Sequence, residues 1–179
     1  MRVDGIIQSV AVDDRYQSDV WDCMLPTSRP EHLLILGFGG GTIATLATRK
    51  WGSVPTTGIE RDPDIARLAL DEFGLKDLAH VSVVVQDAFE FMAQTRRTYD
   101  AICIDLFVGG KLIHGVLGAQ FLKDVGRALG HNGTAMINLW ASSYLSDQIR
   151  RIEQELRIER IDRIGGNVVI RCSSRTDDS

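Results

Sequence analysis

A four-residue apolar run, Leu33 to Leu36, breaks into a stretch that is nearly all glycine and then into a helical repeat: HLLILGFGGGTIATL, His32 to Leu46. Few chain geometries accept that order. An unbroken apolar run of this length fits a strand buried on both faces, and Ile43, Leu46, Ala47 and Trp51 recur at helical spacing after the glycines. Strand, glycine turn and helix together let the backbone approach a ligand where a Cβ would collide. The unpaired N–H groups of the helix start then lie at the positive end of its dipole. The arrangement suits a nucleotide. A tight turn with no ligand is the plainer alternative.

The register of the glycines narrows the choice. A dinucleotide fingerprint, G-x-G-x-x-G, starting at Gly37 and Gly39 would need glycine at 42, where the chain has Thr42. Gly37, Gly39 and Gly41 instead give G-x-G-x-G, the spacing associated with S-adenosylmethionine (AdoMet) in class I methyltransferase folds. Gly40 completes the loop.

The rest of the chain alternates strand and helix around this unit. Val3 to Val12 suggest a short strand or half a hairpin, and Tyr16 to Leu25 a short helix whose apolar face carries Val20, Trp21, Met24 and Leu25. Val54 to Ile59 predict a second buried strand ending on Glu60. Asp62 and Pro63 then cap a helix that runs to Gly74. Val81 to Val85 make a third strand, Asp87 to Gln94 a helix, and Tyr99 to Ile104 a fourth strand closing on Asp105. Leu106 to Gly115 read as irregular. A helix follows from Leu117 to Leu129, then a strand from Thr134 to Trp140, a helix from Leu145 to Leu156, and a hairpin flanking Gly165-Gly166-Asn167. These steps predict a Rossmann-like α/β fold. Its sheet is mainly parallel, with helices on both faces and an antiparallel hairpin at the C-terminal end.

A chain of 179 residues suits a single core, and three boundaries are expected. Residues 1–30 form a short strand and helix extension, 31–173 the cofactor-binding domain, and 174–179 a polar tail. A net charge of -4 gives no general attraction to nucleic acid or anionic membranes, so a small molecule is the expected partner. Cys23, Cys103 and Cys172 are odd in number and widely spaced, which suggests neither a disulfide framework nor a metal site. Cys103 reads as a core residue. The absence of a long apolar run predicts a soluble, cytoplasmic protein with no signal peptide.

In a sheet of this kind ligands gather at the carboxyl ends of the strands, where Gly37, Glu60, Asp87 and Asp105 all fall. Glu60, about 20 residues beyond the glycine loop, is placed to accept the hydroxyl protons of an adenosine ribose. Asp87 would receive the adenine amino group, with Phe89 or Ile59 covering the ring, although it reads equally as a helix cap. Asp105, Lys111, His114, Asn138 and Trp140 are expected around an acceptor. For His114 a plain loop histidine, for Trp140 a core position and for Lys111 a solvated one are the alternatives.

The chain resembles the spermidine synthase-like family. The resemblance rests on DGIIQS at Asp4 to Ser9, Tyr16-Gln17, the glycine loop, GIERDPDIARLA at Gly58 to Ala69, VVQDAFEFM at Val84 to Met92, and YDAICID at Tyr99 to Asp105. It implies a class I methyltransferase core, AdoMet or decarboxylated AdoMet as cofactor, aminopropyl transfer to putrescine, and a homodimer. By position it implies that Glu60 binds ribose, that Asp87 and Ala88 hold adenine, and that Gln8, Tyr16 and Gln17 join the acceptor pocket. Two family carboxylates are replaced. Gly40 stands where the family's loop has the acid that holds the aminopropyl ammonium, and Val108 stands where an Asp-x-x-Asp pair would put its second acid. The segment before the glycine strand is also short for the family's N-terminal β-domain. An amine of high pKa needs a positioned base worth roughly 10²–10⁴ in rate, whereas methyl transfer gains most from holding the acceptor close. The expected function is therefore methyl transfer to a small molecule. Aminopropyl transfer and a non-catalytic nucleoside-binding relative are the alternatives.

Overall fold

The computed structural model describes residues 2–3, 6–7 and 20–175. Gln8, Tyr16 and Gln17, the first four residues of the predicted first helix and the end of the polar tail lie outside these residues. The chain opens with β1 (Arg2–Val3) and β2 (Ile6–Ile7), an antiparallel pair, followed by α1 (Val20–Cys23). The alternating core then runs β3 (Leu33–Leu36), α2 (Thr42–Trp51), β4 (Thr56–Glu60), α3 (Pro63–Glu72), β5 (Val81–Val85), α4 (Ala88–Gln94) and β6 (Tyr99–Ile104). A small hairpin, β7 (Phe107–Val108) and β8 (Lys111–Leu112), separates these from α5 (Ala119–Ala128), β9 (Leu129–Trp140), α6 (Leu145–Glu155), β10 (Leu156–Ile164) and β11 (Asn167–Ser174).

Seven strands form one sheet in the order β10-β11-β9-β6-β3-β4-β5. β3 pairs in parallel with β4 and β6, β4 with β5, and β6 with β9; β11 runs antiparallel to both β9 and β10. Side chains alternate across β3, so Leu34 and Leu36 join one apolar layer while Leu33 and Ile35 join the other. The first layer is filled by Met92 of α4, Phe121, Leu122 and Val125 of α5 and Ile152 of α6, and the second by Trp21, Ile43, Leu46 and Ala69. This is the predicted doubly covered α/β sheet. Cys103 belongs to the second layer, where its thiol donates to the Met24 carbonyl at 3.0 Å, and burial holds that thiol well above the usual pKa.

Local chemistry explains the element ends. Asp62 accepts from the N–H groups of Asp64 and Ile65, with Pro63 as the first helical residue; Asp87 caps α4 by accepting from Phe89 and Glu90. Two stretches differ from expectation. Residues 107–112 are not irregular: Gly109 and Gly110, with φ of 54° and 71°, make the left-handed turn that a two-residue hairpin requires. β9 also begins earlier than Thr134. The stretch from Leu129 to Thr134 opposes only Tyr99 to Ala101, and Asn132 takes up the surplus at φ 60°. Among the described residues, no helix is long and apolar enough to cross a membrane.

Candidate functional site

The parallel strands β3, β4, β5, β6 and β9 end on one cavity of about 440 Å³, within the range of roughly 300–1,000 Å³ common for small-molecule sites. At its centre lies the glycine turn. The N–H groups of Gly37 and Phe38 both donate to the Ile59 carbonyl at 3.0 Å, which ties the end of β3 to the end of β4. Gly37, Gly39 and Gly41 have φ of 82°, 53° and 76°. At Gly37 a Cβ would also lie 2.3 Å from the Asp105 carbonyl oxygen, so this position needs glycine for conformation and for space. Phe38 turns inward and is buried over Gly58, whose missing side chain gives it room.

Glu60, 9% exposed, closes the loop from the β4 side. Its Oε2 accepts the Gly39 N–H at 2.9 Å and its Oε1 the Asp62 N–H at 3.1 Å. Each oxygen keeps a further lone pair for the cavity. Beyond β5, Asp87 and Ala88 reach the same wall. Both cap bonds of Asp87 fall on Oδ1, so its helix-cap role leaves Oδ2 out of those contacts.

Asp105 follows β6 and faces the other half of the cavity. The indole N–H of Trp21 donates to its Oδ2 at 3.1 Å and the Asn138 amide to its Oδ1 at 2.8 Å. Asn138 in turn accepts from the Asn167 amide at 3.0 Å. Burial raises the pKa of Asp105, and the bonds from Asn138 and Trp21 oppose that rise. Over this end folds the β7–β8 hairpin, with the Trp140 indole N–H on the Gly110 carbonyl at 2.7 Å. The Phe107 ring meets Trp140 edge-on, 5.8 Å between centroids.

Of the residues expected at the site, Gly37, Gly39, Glu60, Asp87, Ala88, Asp105, Asn138 and Trp140 line this cavity together. Gly40 and Gly41 are buried and do not line it. Gly41 instead begins α2, where a Cβ would lie 2.1 Å from Leu75 Cδ1. Lys111 is exposed on β8, and His114 lines a separate recess with Phe89 and Phe121, so neither lines this cavity. Trp21 and Asn167, by contrast, reach Asp105 and Asn138 across 84 and 29 residues, and nothing local in the sequence marks them.

No family model matches the chain. It is similar to the polyamine aminopropyltransferase of Sulfolobus acidocaldarius, 26% identical over 164 residues that make up 87% of this chain and 54% of the relative. The chain spans about half the length of the curated relatives it matches. Human methyltransferase-like protein 13, solved in complex with SAH, has a TM-score of 0.73 at 20% identity, over 83% of this chain and 74% of that one. A probable spermidine synthase from Corynebacterium glutamicum has a TM-score of 0.69 at 21% identity, over 79% and 55% respectively. The fold is that of the Rossmann-like class I methyltransferases. Within that fold class its sequence is similar to polyamine aminopropyltransferases, and the structures it resembles include both methyltransferases and a spermidine synthase.

Proposed function

We propose that this chain binds AdoMet or its decarboxylated form and transfers a group from it to a small acceptor, with methyl transfer as the reaction. One observation carries this reading: a single cavity runs from Glu60 and Asp87 at one end, past the glycine turn, to Asp105 and Asn138 at the other. Gly37 and Gly39 line that cavity with bare backbone. Glu60 accepts the ribose hydroxyl protons on its remaining lone pairs, while Asp87 Oδ2 and the Ala88 N–H meet the adenine edge. Ile59, Ile65 and Phe89 cover the ring. The cofactor, when bound, supplies a carbon already activated by a sulfonium.

What remains for the protein is to hold the acceptor. Asp105, fixed by Trp21 and Asn138, accepts a hydrogen bond from the acceptor's nucleophilic atom and keeps it near that carbon. Val108 lines the cavity where the family's second carboxylate would stand, which favours methyl over aminopropyl transfer. Similarity to polyamine aminopropyltransferases supports aminopropyl transfer as the second reading.

Calorimetry with AdoMet, decarboxylated AdoMet and methylthioadenosine tests the cofactor. Intact AdoMet is expected to bind at least as tightly as the decarboxylated form. Incubation with decarboxylated AdoMet and putrescine is expected to give little or no spermidine, and efficient turnover would restore the aminopropyl reading. A protein that binds these nucleosides but releases neither S-adenosylhomocysteine nor methylthioadenosine with any acceptor is a binding module.

A further inference from the structure

The two halves of the cavity differ in chemistry. Glu60, Asp62, Asp87 and Arg61 all cluster near the ends of β4 and β5. Around the opposite half, Asp105 is the one ionisable side chain among the described lining residues; Trp21, Phe107, Val108 and Trp140 supply apolar wall, and the Asn138 and Asn167 amides there are already engaged with Asp105 and with each other. Val108 and Trp140 remain 46% and 40% exposed at the mouth, large apolar groups kept facing solvent beside a polar site. They are held there. The Trp140 ring is fixed at its N–H by the Gly110 carbonyl and at its edge by Phe107, so it stands as a rigid wall. Asp105 already accepts from two neutral donors, one on each oxygen, which leaves lone pairs for a further donor.

From this division we infer that the acceptor is a flat, mainly apolar molecule with a single hydroxyl or N–H donor directed at Asp105. The inference rests on the transferase reading above. A linear dication is held best by an anion at each end, and the described half of the cavity offers one carboxylate; the second ammonium would exchange its water for aromatic faces alone. An anionic acceptor would meet Asp105 with no cation beside it among the described residues of that half. A ring with one donor matches what is present, because its faces cover the aromatic and aliphatic walls while its polar edge satisfies the carboxylate.

The test separates this inference from the cofactor reading. The full chain is first saturated with S-adenosylhomocysteine, then titrated calorimetrically with p-cresol and with putrescine. p-Cresol is expected to bind at least tenfold tighter. Trp140→Ala should weaken p-cresol tenfold or more. Because that change also releases the hairpin tip, Val108→Asp is the second variant, expected to weaken p-cresol and strengthen putrescine. Putrescine binding as tightly as p-cresol to the wild type, no p-cresol binding, or p-cresol binding indifferent to both variants would overturn the acceptor class while leaving the cofactor site standing. Failure of S-adenosylhomocysteine itself to bind would remove both.

Discussion

Glu60→Ala takes away the acceptor for two backbone N–H groups as well as for any ribose hydroxyl. Loss of hydrogen bonds to a charged, partly desolvated acceptor predicts weaker AdoMet binding by about 1.5–3 kcal/mol in calorimetry. The same change leaves the Gly39 and Asp62 amides unpaired, so the melting temperature should fall even without ligand. Unchanged affinity in the folded variant would remove Glu60 from the ribose site. Asp105 gives a prediction in pH. Its native pKa is raised above the usual 3.8 by burial, so the folded state holds its proton to higher pH than the unfolded state does. That contribution to stability is fully present below 3.8 and is lost as pH rises through the native value. In urea unfolding, the wild type should therefore gain on Asp105→Asn as pH falls from neutral towards 4. The opposite slope would mean that the bonds from Asn138 and Trp21 outweigh burial. Glu60, Asp87 and Asp105 were all legible in the sequence because each ends a strand, and strand ends in such a sheet converge. Trp21 and Asn167 were not legible, because their bonds join distant parts of the chain and their own surroundings read as a packing face and a turn.

Among the elements, the glycine turn is the clamp between β3, β4 and β6. Gly37→Ala adds a methyl group 2.3 Å from the Asp105 carbonyl and forces a left-handed backbone on an L side chain. Strain and overpacking together predict a loss of about 2–4 kcal/mol in denaturant unfolding. A variant of wild-type stability would mean that β3 and β6 separate freely at this end. The buried strands and amphipathic helices were readable from periodicity, and Asp62 and Asp87 from cap chemistry. The β7–β8 hairpin was not, because each strand is only two residues long and the pairing depends on the Gly109-Gly110 turn. Lys111 and His114, expected at the acceptor from the same stretch, do not line the cavity.

For the whole molecule, one apolar layer on each face of a single sheet means that ligand binding at the strand ends should stabilise the folded state as a unit. S-adenosylhomocysteine at a hundred times its Kd is expected to add about 2.7 kcal/mol, seen as a concentration-dependent rise in melting temperature. No rise at saturating ligand would contradict a site built on these strands. The alternation of strand and helix made this architecture readable in outline, and the pairing order at its far edge could be seen only in the structure. There β11 lies between β9 and β10, although it follows both in the chain. On the ribosome, then, β9 emerges with its outer rim unpaired, and it stays so until residues 167–174 have been made and have slid in beside it. The exposed interval is set by translation speed, and through it the nascent chain presents the apolar rim from Ala135 to Leu139 to any neighbouring strand. An arrest that leaves β9 outside the exit tunnel while β11 is still inside would lengthen that window, and holdase chaperones should be found on such arrested chains more than on those released with β11 in place.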